Sequence, residues 1–346
     1  MARSSTTFPR KWNSGKTTVI RVPVEIADQI LAIARRLDGS GEFRIREEAG
    51  ALVLEFTNSK RVRYTADTPV NVASVPQRSP FRYPGGKTWL VPYIREWLQS
   101  IKIKPLRLIE PFAGGAIVSL TAAFERLARH VIFAELDEDV ASVWRVVLNG
   151  QAEWVAREIL NFDLTSDNVR AILDRTATDL RNRSFQTILR NRVQRGGIMA
   201  SGAGLVKAGE NGRGLNSRWY PETLARRIRE INQLKDRLTF VQQDAFDLIE
   251  EHREESDAAF YIDPPYTLAA KRLYAKWQVD HHRLFTTMAS CKGDFLMSYD
   301  NTEEVVALAE EFGLESRAIA MKNTHHAKMT ELLIGRDLSW LGTENR

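Results

Sequence analysis

Leu106-Arg-Leu-Ile-Glu-Pro-Phe-Ala-Gly-Gly115 decides the fold class. A short apolar run ends on an acid, crosses a proline and a glycine pair, and opens into residues 116–127, where Val118, Ala122 and Leu127 recur near helical spacing. That is a strand, a tight turn and a helix. Further apolar runs of strand length lie at Val131–Ala134, Leu238–Val241, Ala258–Ile262 and Phe295–Met297, with helical patterns between them. The alternation predicts an α/β fold with a doubly wound, mostly parallel sheet. Ala318–Met321 and Glu331–Ile334 predict a hairpin across His325 and His326 that adds antiparallel edge strands.

With 346 residues, 43% of them hydrophobic and 27% charged, the chain can bury a full core and is neither disordered nor fibrous. One cysteine, Cys291, excludes an internal disulfide framework and a thiolate metal cluster. Residues 1–18 hold no signal-peptide run and no later apolar run is long enough to span a membrane, so a cytoplasmic, nucleoid-associated protein is expected. The net charge of +5 is unevenly spread: +7 over residues 145–238 and −8 over residues 239–346. Leu180–Gly209 carries six basic residues and no acid, which suits a surface that follows phosphates. The plainer reading is a solvated basic face.

Four parts are expected. Residues 1–40 hold a β-branched run, Thr17–Val22, and an amphipathic pattern through Ile26, Ile30, Ile33 and Leu37, a strand-helix unit weakly similar to ribbon-helix-helix DNA binders. Residues 41–79 read as a small β segment and linker, with Leu52–Phe56 as a strand. Residues 80–144 and 239–346 form the catalytic α/β domain, interrupted by a mainly helical insert over residues 145–238.

Four predicted strands end in an acid: Glu110, Glu135, Asp244 and Asp263. The carboxyl ends of the strands of an open α/β sheet form its ligand crevice, so these acids would share one rim. Each could instead merely cap the helix that follows. Glu135 stands where an acid that accepts ribose hydroxyls usually lies. Phe260-Tyr-Ile-Asp-Pro-Pro-Tyr266 is the most specific signal, because Asp-Pro-Pro-Tyr arises by chance in a chain of this length with a probability of roughly 10⁻³. The paired prolines fix the backbone so that the Asp263 carboxylate and the Pro264 carbonyl share one small space. Two acceptors suit an amino group with two hydrogens, and Tyr266 offers a ring for a planar base. The adjacent pairs His281-His282 and His325-His326 lack an acid at ligand spacing, so no metal site is expected.

Phe81-Arg-Tyr-Pro-Gly-Gly-Lys87, Glu110-Pro-Phe-Ala-Gly-Gly115, Glu135, Asp244-Ala-Phe246 and Asp263-Pro-Pro-Tyr266 occur in an order that resembles the Dam-like family of DNA adenine-N6 methyltransferases. The resemblance covers about residues 79–340, including Asn191-Arg192, Ser217-Arg-Trp219 and Thr330-Glu-Leu-Leu333. It departs from the commoner pattern at Glu110, where aspartate is usual, and at Ala116, where glycine or serine is. It implies a Rossmann-like methyltransferase fold and S-adenosylmethionine as cofactor. Tyr83, Pro84, Gly85, Gly86 and Lys87, with Glu110, Pro111, Phe112, Ala113, Gly114 and Gly115, would hold the methionine part. Glu135 and Asp244, with Ala245 and Phe246, would hold ribose and adenine. Asp263, Pro264, Pro265 and Tyr266 would be catalytic on a flipped base, with Asp263 also facing the cofactor. Lys87, Arg190, Asn191, Arg192, Arg195 and Arg218 are expected on DNA.

The function implied is methyl transfer to adenine N6 in double-stranded DNA at a short specific site. A second reading keeps the cofactor and changes the acceptor to cytosine N4, RNA or a protein glutamine. A third is a DNA-binding regulator that uses residues 17–38 and retains an inert methyltransferase fold. The expected partner is double-stranded DNA, without membrane, for a monomer or weak dimer. An orphan enzyme, a phage enzyme and the modifying half of a restriction system with its cognate restriction endonuclease are all compatible.

Overall fold

The computed structural model describes residues 43–48, 51–56, 69–72, 75–82, 86–102, 104–197, 199, 204–207, 209, 212–265, 279–322 and 328–342. The chain divides into two compact units, Met1–Arg63 and Tyr64–Arg346. In the first, β1 (Phe43–Glu48) pairs antiparallel with β2 (Ala51–Phe56), Phe43 opposite Phe56 and Glu48 opposite Ala51. The strand-helix unit expected over residues 17–38 lies outside the described residues.

The second unit is built on a seven-stranded sheet of β3 (Arg107–Glu110), β4 (His130–Ala134), β5 (Leu238–Val241), β6 (Ala258–Ile262), β7 (Asp294–Asp300), β8 (Glu315–Lys322) and β9 (Lys328–Gly335). Its spatial order is β5-β4-β3-β6-β7-β9-β8. The first five strands in that order are parallel, and β9 enters antiparallel between β7 and β8. The expected strands are thus present, and the terminal hairpin supplies the antiparallel edge. Strand order reverses between β3 and β6, so their carboxyl ends open a crevice where a ligand can enter without meeting a crossover helix.

Residues within strands alternate between two cores, because successive side chains of a strand leave on opposite faces. Leu108, Val131, Phe133, Ala259, Tyr261 and Leu296 join one apolar cluster; Ile109, Phe260, Ile262, Phe295 and Met297 join the other. The first is covered by α1 (Val91–Ser100), α2 (Ile117–Phe124) and α3 (Glu138–Val146), together with helices of the segment between β4 and β5. The second is covered by α8 (Ala245–His252), α9 (His281–Ser290) and α10 (Glu303–Glu311).

The segment between β4 and β5 carries α4 (Ala152–Asn161), α5 (Ser166–Leu173), α6 (Leu180–Val193) and α7 (Pro221–Asn232), which matches the expected helical character. Its buried residues Val155, Ile159, Ile188, Leu189, Leu224 and Ile228 belong to the same core as Leu108 and Val131, so this segment packs into the unit that holds the sheet. Side-chain caps start several helices: Asp137 accepts from the amides of Asp139 and Val140, Asp179 from that of Asn182, and Asp280 from that of Arg283. Helix α2 begins differently. Ala116 precedes it at φ 51°, a left-handed conformation that a side chain disfavours. The missing cap is supplied by Glu110, whose Oε2 accepts from the Ser119 amide at 2.7 Å.

Trp144 of α3 ties these parts together. It is fully buried, meets Phe81 and Phe133 edge to face at 5.5 and 5.3 Å between ring centres, and donates its indole N–H to the Gly114 carbonyl at 3.0 Å. Trp144→Ala should lower unfolding stability by about 3–5 kcal/mol, read from denaturant midpoints, whereas Trp144→Phe should cost less by keeping most of the packing. An alanine variant within about 1 kcal/mol of the parent would contradict this role.

Candidate active site

A cavity of about 810 Å³ opens at the switch between β3 and β6. That volume lies within the roughly 300–1,000 Å³ usual for small-molecule sites. Pro111, Phe112, Ala113, Gly114 and Gly115 line it beyond β3, Glu135, Leu136 and Asp137 beyond β4, and Asp263, Pro264 and Pro265 beyond β6. Gly86 and Lys87 close it from the segment before α1. Tyr83, Pro84, Gly85 and Tyr266 lie outside the described residues.

Two glutamates, Glu110 and Glu135, line the cavity. Glu110 is buried, and burial pushes its carboxyl up to about 8 against the opposing Ser119 hydrogen bonds. Glu135 accepts from the Gly114 amide through Oε2 at 3.1 Å and from the Asp137 amide through Oε1 at 2.9 Å; burial nevertheless raises it to about 7. Both carboxylates are therefore oriented by backbone amides. Asp244 behaves otherwise. It is exposed and caps α8 through the Phe246 amide at 2.9 Å, while its neighbours Gln243 and Ala245 line the cavity. Phe246 lies under the Arg283 guanidinium, 4.2 Å from the ring centre.

Asp263 sits at the heart of a buried network. Its Oδ1 receives Ser298 Oγ at 3.0 Å, and Ser298 in turn is 2.9 Å from the Tyr261 hydroxyl. The Lys87 ammonium, 3% exposed, stands 3.0 Å from the same Oδ1 and 3.5 Å from Glu331 Oε2. Lys87, expected on cofactor and DNA, lines the cavity but gives its ammonium to Asp263 of the Asp-Pro-Pro loop. Ser298 and Glu331 were missed. Glu331 stands in the Thr330–Leu333 motif, whereas Ser298 lies inside an apolar strand run and carries no signal of its own.

Arg82, Arg192, Arg218 and Arg227 also line the cavity and lie close enough together to repel one another. Arg192 is 5% exposed and donates to the Pro80 carbonyl, while its Nε finds no partner. Burial, then repulsion from Arg227, Arg82 and Arg218, holds its guanidinium down to about 9. Arg227 donates to the Ser79 carbonyl at 3.0 Å. Arg192 and Arg227 thus give hydrogen bonds to backbone carbonyls within a crowd of guanidinium groups, an arrangement that suits an anion.

The expected DNA face of α6 is largely redirected inward. Arg190 pairs with Asp139 of α3 at 2.7 Å, and Arg183 pairs with Glu138, so the acids absent from the local sequence arrive from a helix more than forty residues earlier. Asn191 is fully buried: its Nδ2 donates to the carbonyls of Arg82 and Gly197, and its Oδ1 accepts from the Arg82 amide. It grips the backbone of Arg82 and faces no solvent. Arg195 is exposed, outside the cavity lining, while Arg192 and Arg218 reach the cavity. Arg82 and Arg227 were not singled out from sequence, although Arg82 lies within Phe81–Lys87.

The family model of the D12 class N6 adenine-specific DNA methyltransferases matches residues 83–322. Among solved structures, the chain is similar to the SAM-dependent methyltransferase from Agrobacterium tumefaciens, at 10% identity over 85% of this chain and 70% of that one, with a TM-score of 0.34. It is also similar to the rRNA methyltransferase aviRa from Streptomyces viridochromogenes, at 14% identity, 73% and 87% coverage and a TM-score of 0.34. TYW2 from P. horikoshii in complex with MeSAdo matches at 11% identity, 90% and 83% coverage and a TM-score of 0.28. No curated protein matches the chain significantly by sequence.

Glu110 has a pH signature. Its carboxyl stays protonated in the folded chain up to about 8 but ionises near its ordinary 4.5 once unfolded, so its contribution to stability falls as pH rises between those values. Glu110→Gln should therefore gain stability over the parent progressively across that window. Thermal midpoints at several pH values test this, and a difference independent of pH would refute it.

Proposed function

The chain belongs to the D12 class N6 adenine-specific DNA methyltransferase family, and on that premise we propose that it methylates adenine N6 in double-stranded DNA at a short specific site, on a base flipped from the helix. The single observation that carries this reading is that one cavity joins the Asp263-Pro264-Pro265 loop to the guanidinium cluster. A cluster of guanidinium groups suits the backbone of a polyanion, and the acceptors of the Asp-Pro-Pro loop suit an amino group.

The methyl donor is S-adenosylmethionine, which supplies a methyl carbon made electrophilic by its sulfonium. The residues present fit it. Glu135 is held ready by two amides to accept hydroxyl groups, and the Gly114–Gly115 turn leaves room for close backbone approach. Glu110, Gly114 and Glu135 would hold the cofactor, with Gln243 and Ala245 near its base.

Asp263 and the Pro264 carbonyl would accept the two hydrogens of the adenine amino group. That draws the nitrogen lone pair out of conjugation with the ring and toward the methyl carbon. Asp263 would accept the proton that the amino nitrogen sheds on methylation, the sulfonium of the donor serving as the leaving group. Positioning and electrostatics do the work, with no covalent intermediate on the chain. Cys291 is unsuited to that role: it is buried, and burial pushes its thiol up to about 11.

Base extrusion is supported by geometry of the same cavity, because an amino group inside a paired duplex cannot reach a carboxylate at the floor of a crevice. Arg82, Arg192, Arg218 and Arg227 are placed to take phosphates of the opened strand. Exposed Arg195 remains a candidate contact on the same grounds of charge.

Incubation of the protein with labelled S-adenosylmethionine and unmethylated plasmid, followed by nucleoside mass spectrometry, should yield N6-methyladenine. Methyl on cytosine N4, or on no nucleoside, would overturn the reading. Asp263→Ala should reduce turnover by about 100-fold or more while cofactor affinity, read by calorimetry, is largely kept. Arg218→Ala should weaken binding to all DNA sequences and make the salt dependence shallower by about one ion. An unaltered salt slope would place the phosphate contacts elsewhere.

A further inference from the structure

Beyond Asp263, one more carboxyl faces the Lys87 ammonium. Glu331 on β9 is 9% exposed, and its Oε2 lies 3.5 Å from Lys87 Nζ yet forms no hydrogen bond. Lys87 is nearer Asp263, at 3.0 Å. One buried ammonium is therefore shared unequally by two carboxyls, one at the end of β6 and the other on the antiparallel strand beside β7. We propose that Glu331 is a positioning residue for methyl transfer: when ionised it draws the Lys87 ammonium away from Asp263 and leaves that carboxylate to accept the amino hydrogen of the target base. This rests on the adenine-N6 reading above.

An ammonium fully committed to Asp263 competes with the substrate amino group for the same acceptor and reduces the charge available to it. A second carboxylate within reach of the ammonium relieves both effects. The surroundings of Glu331 are set so that its charge can change near neutrality. Burial pushes it up to about 7, opposed by Lys87 and reinforced by Asp263 and Asp300. From β7, Asp300 is its register partner, itself raised by burial; from β8, the register partner is the apolar Ile319. Tyr261 of β6 also feels Glu331 and is held protonated by burial. Among the described residues, the charged groups that act on Glu331 are thus the cation Lys87 and the acids Asp263 and Asp300.

Glu331→Gln keeps the shape and removes the charge, so Lys87 stays with Asp263 at every pH. Single-turnover methyl transfer to duplex DNA, followed from about pH 6 to about pH 9, should rise through about pH 7 in the parent enzyme. In Glu331→Gln it should be roughly tenfold slower at about pH 8 and should lose that rise, with cofactor affinity within about twofold of the parent. Glu331→Asp should restore a rise with pH. A Gln variant that matches the parent in rate and pH dependence overturns the inference. So does one that is slower but keeps the same rise, because that is the mark of a merely structural role. A parent enzyme that leaves adenine unmethylated overturns the functional reading itself, whereas a methylating parent with an unaffected variant overturns this inference alone.

Discussion

Removing the Lys87 ammonium from water costs several kcal/mol, and only charged partners held at close range can offset that. Those partners come from distant parts of the chain. Asp263 follows β6, and Glu331 belongs to a strand that arrives after two further crossovers and runs against its neighbour. The ion cluster therefore forms only when the parallel core and the terminal hairpin are both in place. The same pairing places Ser298 of β7 beneath Asp263, so the reactive loop is braced from the sheet as well as from the lysine.

The cavity above this cluster is lined by carboxyls and guanidinium groups together. Glu110 and Glu135, beyond β3 and β4, are bound by backbone amides and raised by burial, while Arg192 is lowered by burial and by repulsion from Arg227, Arg82 and Arg218. Neither set is comfortable without a ligand. Function here is stored as electrostatic imbalance, and the apolar cores on both sheet faces hold that imbalance in shape.

Much of the fold was legible because its signals are local. β5 and β6 fall on the runs read from sequence, and β3 and β4 within a residue of them at each end, since an apolar stretch of strand length ending on an acid is hard to build any other way. The rim acids were legible for the same reason. Partnership across long range was not. Arg190 and Asn191 were expected on DNA because nothing local reveals that Asp139, on another helix, pairs with the first, or that the amide of the second closes on Arg82. Asp244 shows the opposite failure: the helix-cap alternative, open for every rim acid, is the one its side chain takes.

The grip of Asn191 on Arg82 has a practical consequence for mapping the DNA surface. Gly197, at φ 75°, lies so close to the Arg82 carbonyl that a Cβ there would stand 2.3 Å from it. Arg82 is thus seated by two residues of the insert, and it stands five positions before the lysine that supports Asp263. Scanning mutagenesis would score Asn191 and Gly197 as contact positions, with losses in both affinity and rate, although a buried amide and a glycine without a side chain need never touch nucleic acid. A footprint drawn from such scores would be larger than the true interface, and it would trace the mechanical linkage behind that interface.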